Sequence, residues 1–340
     1  MLNFNYVIFT GINNPNLGEA RNGYRSICFR DLEGYDGVQL INHPVDYSIY
    51  PIRKFSLFYM SRRLAKYIKL PQRLLYPFYF RNSFNDDKPL CFIILDRYYI
   101  TGKYLSFLKE KYPTAKFVLI HRDLMQFCRN NAAEGLFDNP IFDLEMTYDA
   151  NEATKYGFSQ FDEFESKIDI PKAPNYPISD VFFAGYVKDR LPNLLTAYDI
   201  FTNAGLKVDY YLTGVSIKER VHLPGIIYGE SPISYFEMLY RTINSRCVLE
   251  FVQGGAVGNT SRFLDAVMYN KKLITNNPSV SSSKFYDSRY IQVVKNASDI
   301  DPSFVLDNNE AINYRYIDEF SPIHLIEQID RELTDGRRSR

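Results

Sequence analysis

Several features that would assign this chain of 340 residues to a common class of proteins are missing from it. It has no tryptophan, and its four cysteines (Cys28, Cys91, Cys128 and Cys247) form no CxxC pair. Such spacing argues against a disulfide scaffold or a structural zinc site, and it is typical of buried thiols in a reducing compartment. No apolar run reaches about 18 residues, so no segment is predicted to span a membrane.

The first residues, MLNFNYVIFTG, lack the basic start and long apolar core of a secretory signal peptide. We therefore expect a cytoplasmic protein. Lys plus Arg balance Asp plus Glu at 40 each, so the net charge does not indicate a polyanionic partner. Because no nucleic-acid-binding motif is present either, we expect no nucleic acid partner.

Strand and helix patterns alternate along the chain, which predicts an α/β fold with parallel sheets. In the first half, strands are predicted at 4–11, 90–96 and 116–123, and a helix at 104–112. In the second half, strands are predicted at 180–187, 207–214, 225–230, 246–253, 272–275 and 290–294, and helices at 191–205, 231–243 and 322–333. For the helix at 231–243 we expect Ser231 as the N-cap and Pro232 at the first position.

The length suits two domains of about 150 to 180 residues. Residues 166–179 contain three prolines and no clean periodicity, which indicates an interdomain linker. We predict two Rossmann-like domains, 1–170 and 178–320, that face each other across a cleft.

The stretch QGGAVGNTSRFLDAVMYNKKLIT, residues 253–275, places glycines before a predicted helix and after a predicted strand. Ligands bind at this edge of open α/β sheets, and a helix N-terminus attracts phosphate. The candidate phosphate-binding residues are Gly258, Asn259, Thr260, Ser261 and Arg262, of which Asn259, Thr260 or Ser261 can cap the helix. Asp265, one turn further on, could accept hydrogen bonds from sugar hydroxyls. The alternative interpretation is a flexible loop followed by a well-capped helix.

Four segments resemble the GT-B glycosyltransferases. DAVMYNKKLIT (265–275) resembles the family's acidic-Ala-Met-x-x-Gly-Lys-Pro-Val-Ile segment, which forms the sugar-nucleotide site. FFAGYVKDR (182–190) is similar to the strand and turn that face the donor diphosphate, and GIIYGESPISYFEMLYRT (225–242) to the segment that meets the nucleobase. TYDANEATKYGF (147–158) is similar to a motif of bacterial lipopolysaccharide-core and capsule biosynthesis proteins. The additional donor-binding residues that we predict on this basis are Gly185, Tyr186, Lys188, Arg190, Thr213 and Tyr228.

The resemblance implies a GT-B glycosyltransferase of the hexosyl or deoxyhexosyl class, with the nucleotide-sugar as substrate and no cofactor. Domain 178–320 would bind the donor, and domain 1–170 a glycan or lipid-linked glycan acceptor of bacterial surface-polysaccharide assembly. Helix 321–334 would cross back to the first domain, as in the family. Many retaining members carry Glu-x7-Glu; here Asp265 matches the second acid, but Val257 stands at the first. Two alternatives stay open: transfer of a non-sugar group such as pyruvyl onto a glycan, and a non-catalytic nucleotide-sugar-binding partner.

An inverting transfer needs a general base for the acceptor hydroxyl. Glu19, Asp96 and His121 follow or end predicted strands of the first domain, and we rank Glu19 first because glycine, asparagine and arginine surround it. Each could instead be structural: Glu19 as a solvated acid, Asp96 as a helix cap or a partner of Arg97, and His121 as a half-buried histidine. No DxD motif ends a strand, so we expect no metal.

Residues 50–81 contain eight Arg or Lys, many aromatic residues and no acidic residue. This composition would suit an anionic membrane surface and a peripheral position on the inner face of the cytoplasmic membrane. The alternative is a core helix with a basic, solvated face.

Overall fold

The computed structural model describes residues 2–10, 27–41, 73, 76–95, 100–122, 124–131, 135–137, 141–170, 176–252, 258–307 and 311–336. The chain divides into two compact units. The first comprises Met1–Asn14, Phe29–Phe161 and Pro322–Arg340, and the second comprises Pro15–Cys28 and Asp162–Ser321. None of the helices in these described ranges is both long and apolar enough to cross a membrane.

The first unit is built on a parallel sheet of six described strands in the order β2-β1-β3-β4-β5-β6. The strands are β1 (Asn5–Phe9), β2 (Val38–Ile41), β3 (Leu90–Leu95), β4 (Lys116–His121), β5 (Leu144–Thr147) and β6 (Ser159–Gln160). Its helices are α1 (Gly102–Lys111), α2 (Met125–Asn131) and α3 (Ala150–Tyr156), together with the final helix of the chain. The central strand β3 reads LCFIIL and is buried at every position, as expected for a parallel strand covered on both faces.

Most of the basic aromatic segment 50–81 lies outside the described residues. At its end, the ring of Tyr76 packs on Tyr104, and the ring of Phe80 packs on Phe92 and Tyr112. Both Tyr76 and Phe80 are buried. These two aromatic side chains therefore belong to the core of the first unit and are not available to a membrane surface.

The second unit contains a second parallel sheet of six described strands, in the order β12-β11-β10-β7-β8-β9. The strands are β7 (Ser179–Tyr186), β8 (Val208–Thr213), β9 (Ile226–Gly229), β10 (Ser245–Glu250), β11 (Lys272–Thr275) and β12 (Ile291–Val293). The helices are α4 (Leu191–Asn203), α5 (Tyr235–Asn244), α6 (Ser261–Met268) and α7 (Ser303–Leu306), and α8 (Pro322–Thr334) is the final helix. Short 3-10 helices span Arg30–Leu32, Tyr76–Phe78, Lys188–Arg190, Ile217–Glu219, Pro278–Ser282 and Ala297–Asp299. With two parallel sheets flanked by helices, the predicted α/β fold with two Rossmann-like domains is confirmed.

The start of α5 differs from the prediction. Its N-cap is Ser234, whose hydroxyl accepts a hydrogen bond from the Glu237 N–H at 3.1 Å. Ser231 and Pro232 precede the helix. The prediction was wrong because both serines are good N-caps, and Ser234 has the acidic residue three positions later that favours this position.

Helix α8 is held to the first unit by the buried carboxylate of Asp330. This carboxylate accepts hydrogen bonds from the Asn3 N–H at 2.8 Å, the Asn3 side-chain amide at 2.7 Å and the Tyr6 hydroxyl at 2.8 Å. Burial raises the pKa of Tyr6, so its hydroxyl remains a donor. The last helix is thus attached to the first strand of the chain.

We expect Asp330→Ala to lower the free energy of unfolding by about 3 kcal/mol, because it leaves the buried Tyr6 hydroxyl without its acceptor and removes two hydrogen bonds from Asn3. Urea denaturation measures this loss. Asp335→Ala, in an exposed position just beyond the same helix, is the control and should cost less than about 0.5 kcal/mol. Equal losses in the two variants would contradict the role of Asp330.

Candidate functional site

Most of the predicted donor-binding residues lie at one edge of the second sheet. Gly185 and Tyr186 end β7, Thr213 ends β8, and α6 begins after β10. Because the strands are parallel, their carboxyl ends meet at the same edge, where open α/β sheets bind ligands. Residues from separate parts of the sequence are therefore brought together there.

Helix α6 presents its N-terminus at this edge. Of the three predicted caps, Thr260 is the N-cap, and its hydroxyl accepts a hydrogen bond from the Phe263 N–H at 3.4 Å. Within the described part of the chain, no hydrogen bond satisfies the backbone N–H groups of Asn259, Ser261 or Arg262. Unsatisfied N–H groups together with the positive end of the helix dipole attract an anion.

The guanidinium of Arg262 lies against the end of β7. Its Nη2 atom donates a hydrogen bond to the Ala184 carbonyl at 2.5 Å, and the group lies 4.9 Å from the ring centre of Phe183. A Cβ atom at position 185 would lie 2.5 Å from the same Nη2 atom, so Gly185 is what allows this approach. Burial lowers the pKa of Arg262, while the nearby charges of Glu250 and Asp265 oppose that effect.

Arg190 is buried and bound to backbone carbonyls. Its guanidinium donates hydrogen bonds to Phe251 at 2.8 Å, to Val187 at 3.3 Å and to Tyr186. Burial, followed by the charge of Arg262, lowers its pKa to about 10. Arg190 therefore joins the ends of β7 and β10 and keeps a positive charge near Arg262.

The carboxylate of Glu250, which ends β10, is fully buried and was not assigned a role from the sequence. It accepts hydrogen bonds from the hydroxyls of Thr260 and, at 2.5 Å, Thr275. Glu250 thus connects the N-cap of α6 to the end of β11. The one signal for it in the sequence is an acidic residue at the end of the apolar run CVL.

The structure places the Asp265 carboxyl in the interior of the second unit, where 2% of the residue is exposed. Its Oδ1 atom lies 3.4 Å from the Tyr235 hydroxyl, which also donates to the buried carboxylate of Glu165. Burial raises the pKa of Asp265 to about 8, with Arg262 acting in the opposite direction. Tyr235 and Glu165 were not predicted, and no local pattern in the sequence links them to Asp265.

The remaining predicted donor-site residues surround the ends of β7 and β8. Tyr186 is 43% exposed, and Lys188 has a left-handed backbone with φ of 48°. The Thr213 hydroxyl is buried and has no hydrogen-bond partner in the described ranges. Tyr228 is engaged within the protein, since its hydroxyl bonds both the N–H and the carbonyl of Val221 at 3.0 Å.

Among the predicted bases, Glu19 and Asp96 lie outside the described residues. His121 ends β4, is fully buried and stacks on the rings of Phe137 and Phe158. Its Nε2 atom lies 3.2 Å from Glu145, a partner that the sequence did not reveal. A ring without exposed surface cannot contact an acceptor hydroxyl in this conformation. The described residues include no cluster of three or more His, Cys, Asp or Glu that could hold a metal.

No family model and no curated protein sequence matches the chain. Its structure is similar to an alpha-glucosyltransferase in complex with UDP and DNA, with a TM-score of 0.53 and 10% identity over 97% of this chain and 98% of that one. A putative UDP-N-acetylglucosamine 2-epimerase from Listeria monocytogenes has a TM-score of 0.47 and 9% identity over 99% of this chain and 98% of that one. At such identities the similarity concerns the fold alone, and it is the GT-B fold.

We expect Gly185→Ala to lower the free energy of unfolding by about 3 kcal/mol, because the new Cβ atom displaces the Arg262 guanidinium in addition to straining the backbone. Gly205→Ala is the control, since Gly205 has φ of 77° and no atom near its Cβ position, and should cost about 1 kcal/mol. Urea denaturation of the single variants and of the double variant Gly185→Ala/Arg262→Ala measures the coupling. Additive losses would contradict the close contact.

Proposed function

We propose that the protein is a glycosyltransferase that binds the diphosphate of a nucleotide-sugar donor at the carboxyl edge of its second sheet. The observation that carries this proposal is the position of Arg262 against Gly185, beside the unsatisfied N–H groups that begin α6. A guanidinium and a helix N-terminus together supply the charge and the donors that phosphate oxygens require. The same groups would stabilise a departing nucleoside diphosphate without a metal.

The comparisons support this proposal through the fold. The alpha-glucosyltransferase of the same fold is described in complex with UDP. The segment 147–158 supports a glycan or lipid-linked glycan of bacterial surface-polysaccharide assembly as the acceptor, because it resembles a motif of such enzymes. Residues 50–81, apart from the buried Tyr76 and Phe80, would then hold the enzyme at an anionic membrane surface, which co-sedimentation with anionic vesicles tests.

We expect one of the UDP-, GDP-, CMP- or dTDP-sugars to raise the melting temperature of the protein. A ligand at about 100 times its dissociation constant adds about 2.7 kcal/mol to the stability of the folded state. Arg262→Gln should lower the affinity for the nucleotide-sugar that raises the melting temperature at least about tenfold, since a charge-assisted hydrogen bond is lost. The control is Arg246→Gln, at the opposite end of β10, where the arginine pairs with Asp180 at 3.2 Å. The absence of any shift in the wild type would contradict the donor site.

Glu19 is the first candidate for the general base. With the active donor and a lipid-linked glycan acceptor, Glu19→Gln should lower turnover at least about 100-fold and leave donor affinity unchanged. Glu33→Gln, an exposed acid of the first unit, is the control. Near-normal turnover of Glu19→Gln would reject Glu19 in favour of Asp96. Donor binding without turnover on any acceptor would instead favour a non-catalytic binding protein.

A further inference from the structure

Asn276 and Asn277, which follow β11, bond the backbone on the two sides of residues 253–257 in the second unit. At one end, the Val252 N–H donates a hydrogen bond to the Asn276 side chain at 2.7 Å. At the other end, the Asn277 side-chain amide donates to the Gly258 carbonyl at 2.7 Å. Two consecutive asparagines thus hold the backbone immediately before and immediately after residues 253–257.

Asn277 is itself held on several sides. It is fully buried, its backbone N–H donates to the Thr275 hydroxyl at 3.0 Å, and its Oδ1 atom accepts from the Ser279 N–H at 3.1 Å. The Thr275 hydroxyl in turn donates to Glu250. A side chain with so many partners has one orientation, so its amide can act as a fixed donor.

The bond from Asn277 sets the orientation of the peptide unit between residues 258 and 259. A trans peptide is planar, and its carbonyl and N–H point in opposite directions. None of the described peptide bonds is cis. Because the Gly258 carbonyl is turned toward buried Asn277, the Asn259 N–H must point away from the buried network.

The peptide unit between Phe251 and Val252, at the other end of the segment, has hydrogen-bond partners on both of its sides. The Val252 N–H is held by Asn276, and the Phe251 carbonyl of the same peptide accepts a hydrogen bond from Arg190 at 2.8 Å. The asparagine on one side of this peptide is thus matched by an arginine on the other. For the peptide at 258–259, no partner of the Asn259 N–H occurs in the described ranges.

We propose that Asn277 is a positioning residue for the donor: it aims the Asn259 N–H at the diphosphate, beside the first N–H groups of α6 and the Arg262 guanidinium. The inference rests on the proposed function and adds a residue that does not itself touch the ligand. Asn277 acts through one peptide unit, so its loss affects the binding of phosphate and not that of the nucleoside.

The test compares Asn277→Ser with the wild type by calorimetric titration. Serine can still accept from the Ser279 N–H and carries no charge, but it is too short to reach the Gly258 carbonyl. The ligands are the nucleoside diphosphate of the active donor, its nucleoside and inorganic pyrophosphate. We expect the variant to bind the nucleoside diphosphate and pyrophosphate about tenfold more weakly than the wild type does. Its affinity for the nucleoside should stay within about twofold of the wild-type value.

Two further variants make the comparison specific. Asn277→Leu has nearly the size of the asparagine side chain, cannot donate and adds no charge, and it should show the same selective loss. Asn244→Ser is the matched control, because Asn244 also donates its side-chain amide to a carbonyl, that of Tyr176 at 3.1 Å, but directly before β10 at the opposite sheet edge. Its diphosphate affinity should be unchanged.

Unchanged diphosphate affinity in Asn277→Ser and Asn277→Leu, or an equal loss for the nucleoside, would overturn the role of Asn277. If the wild type binds pyrophosphate but no nucleotide, the proposed function fails and the pyrophosphate titrations still decide the role of Asn277. A wild type that binds neither overturns both.

Discussion

The buried carboxylate of Glu250 is the group on which the candidate site depends. Its two oxygens accept hydrogen bonds from Thr260 and Thr275, so a single side chain connects the start of α6 to the end of β11. Its charge also favours the charged forms of Arg190 and Arg262, whose burial acts in the opposite direction. Without an acid here, the buried guanidinium of Arg190 and the partly buried one of Arg262 would have much less compensation for their lost hydration, which is costly.

Arg190 and Arg262 lie beside the same aromatic ring but differ in the number of donor groups that remain for a ligand. Both guanidinium groups lie near the ring of Phe183, at 5.6 Å for Arg190 and 4.9 Å for Arg262. Arg190 donates to three backbone carbonyls, whereas Arg262, among the residues that the structure describes, donates to the Ala184 carbonyl alone. We infer that Arg190 mainly organises the strand ends, and that Arg262 is the better candidate for a direct phosphate contact.

The first unit shows how a polar contact between distant residues completes a domain. Asp330 in α8 binds Asn3 and Tyr6, more than 320 residues earlier in the sequence. The same helix bonds the edge strand β6, through Gln328 to the Gln160 carbonyl at 2.8 Å and through Glu332 to Ser159. The Gln160 carbonyl is thereby occupied and is not available to pair with a strand of another chain.

The amino-acid sequence by itself determined the α/β class, the strands and helices with strong periodicity, and the glycine-rich stretch as a candidate phosphate site. These features are local: apolar runs such as LCFIIL and a cap such as Thr260 act over a few residues. Where two local signals competed, as for Ser231 and Ser234, the sequence did not identify the cap. Only the tertiary structure decided the partners of Glu250, the burial of Asp265 and His121, and the contact of Arg262 with Gly185. Those contacts join residues far apart in sequence, and they form only when parallel strands bring their ends to one edge.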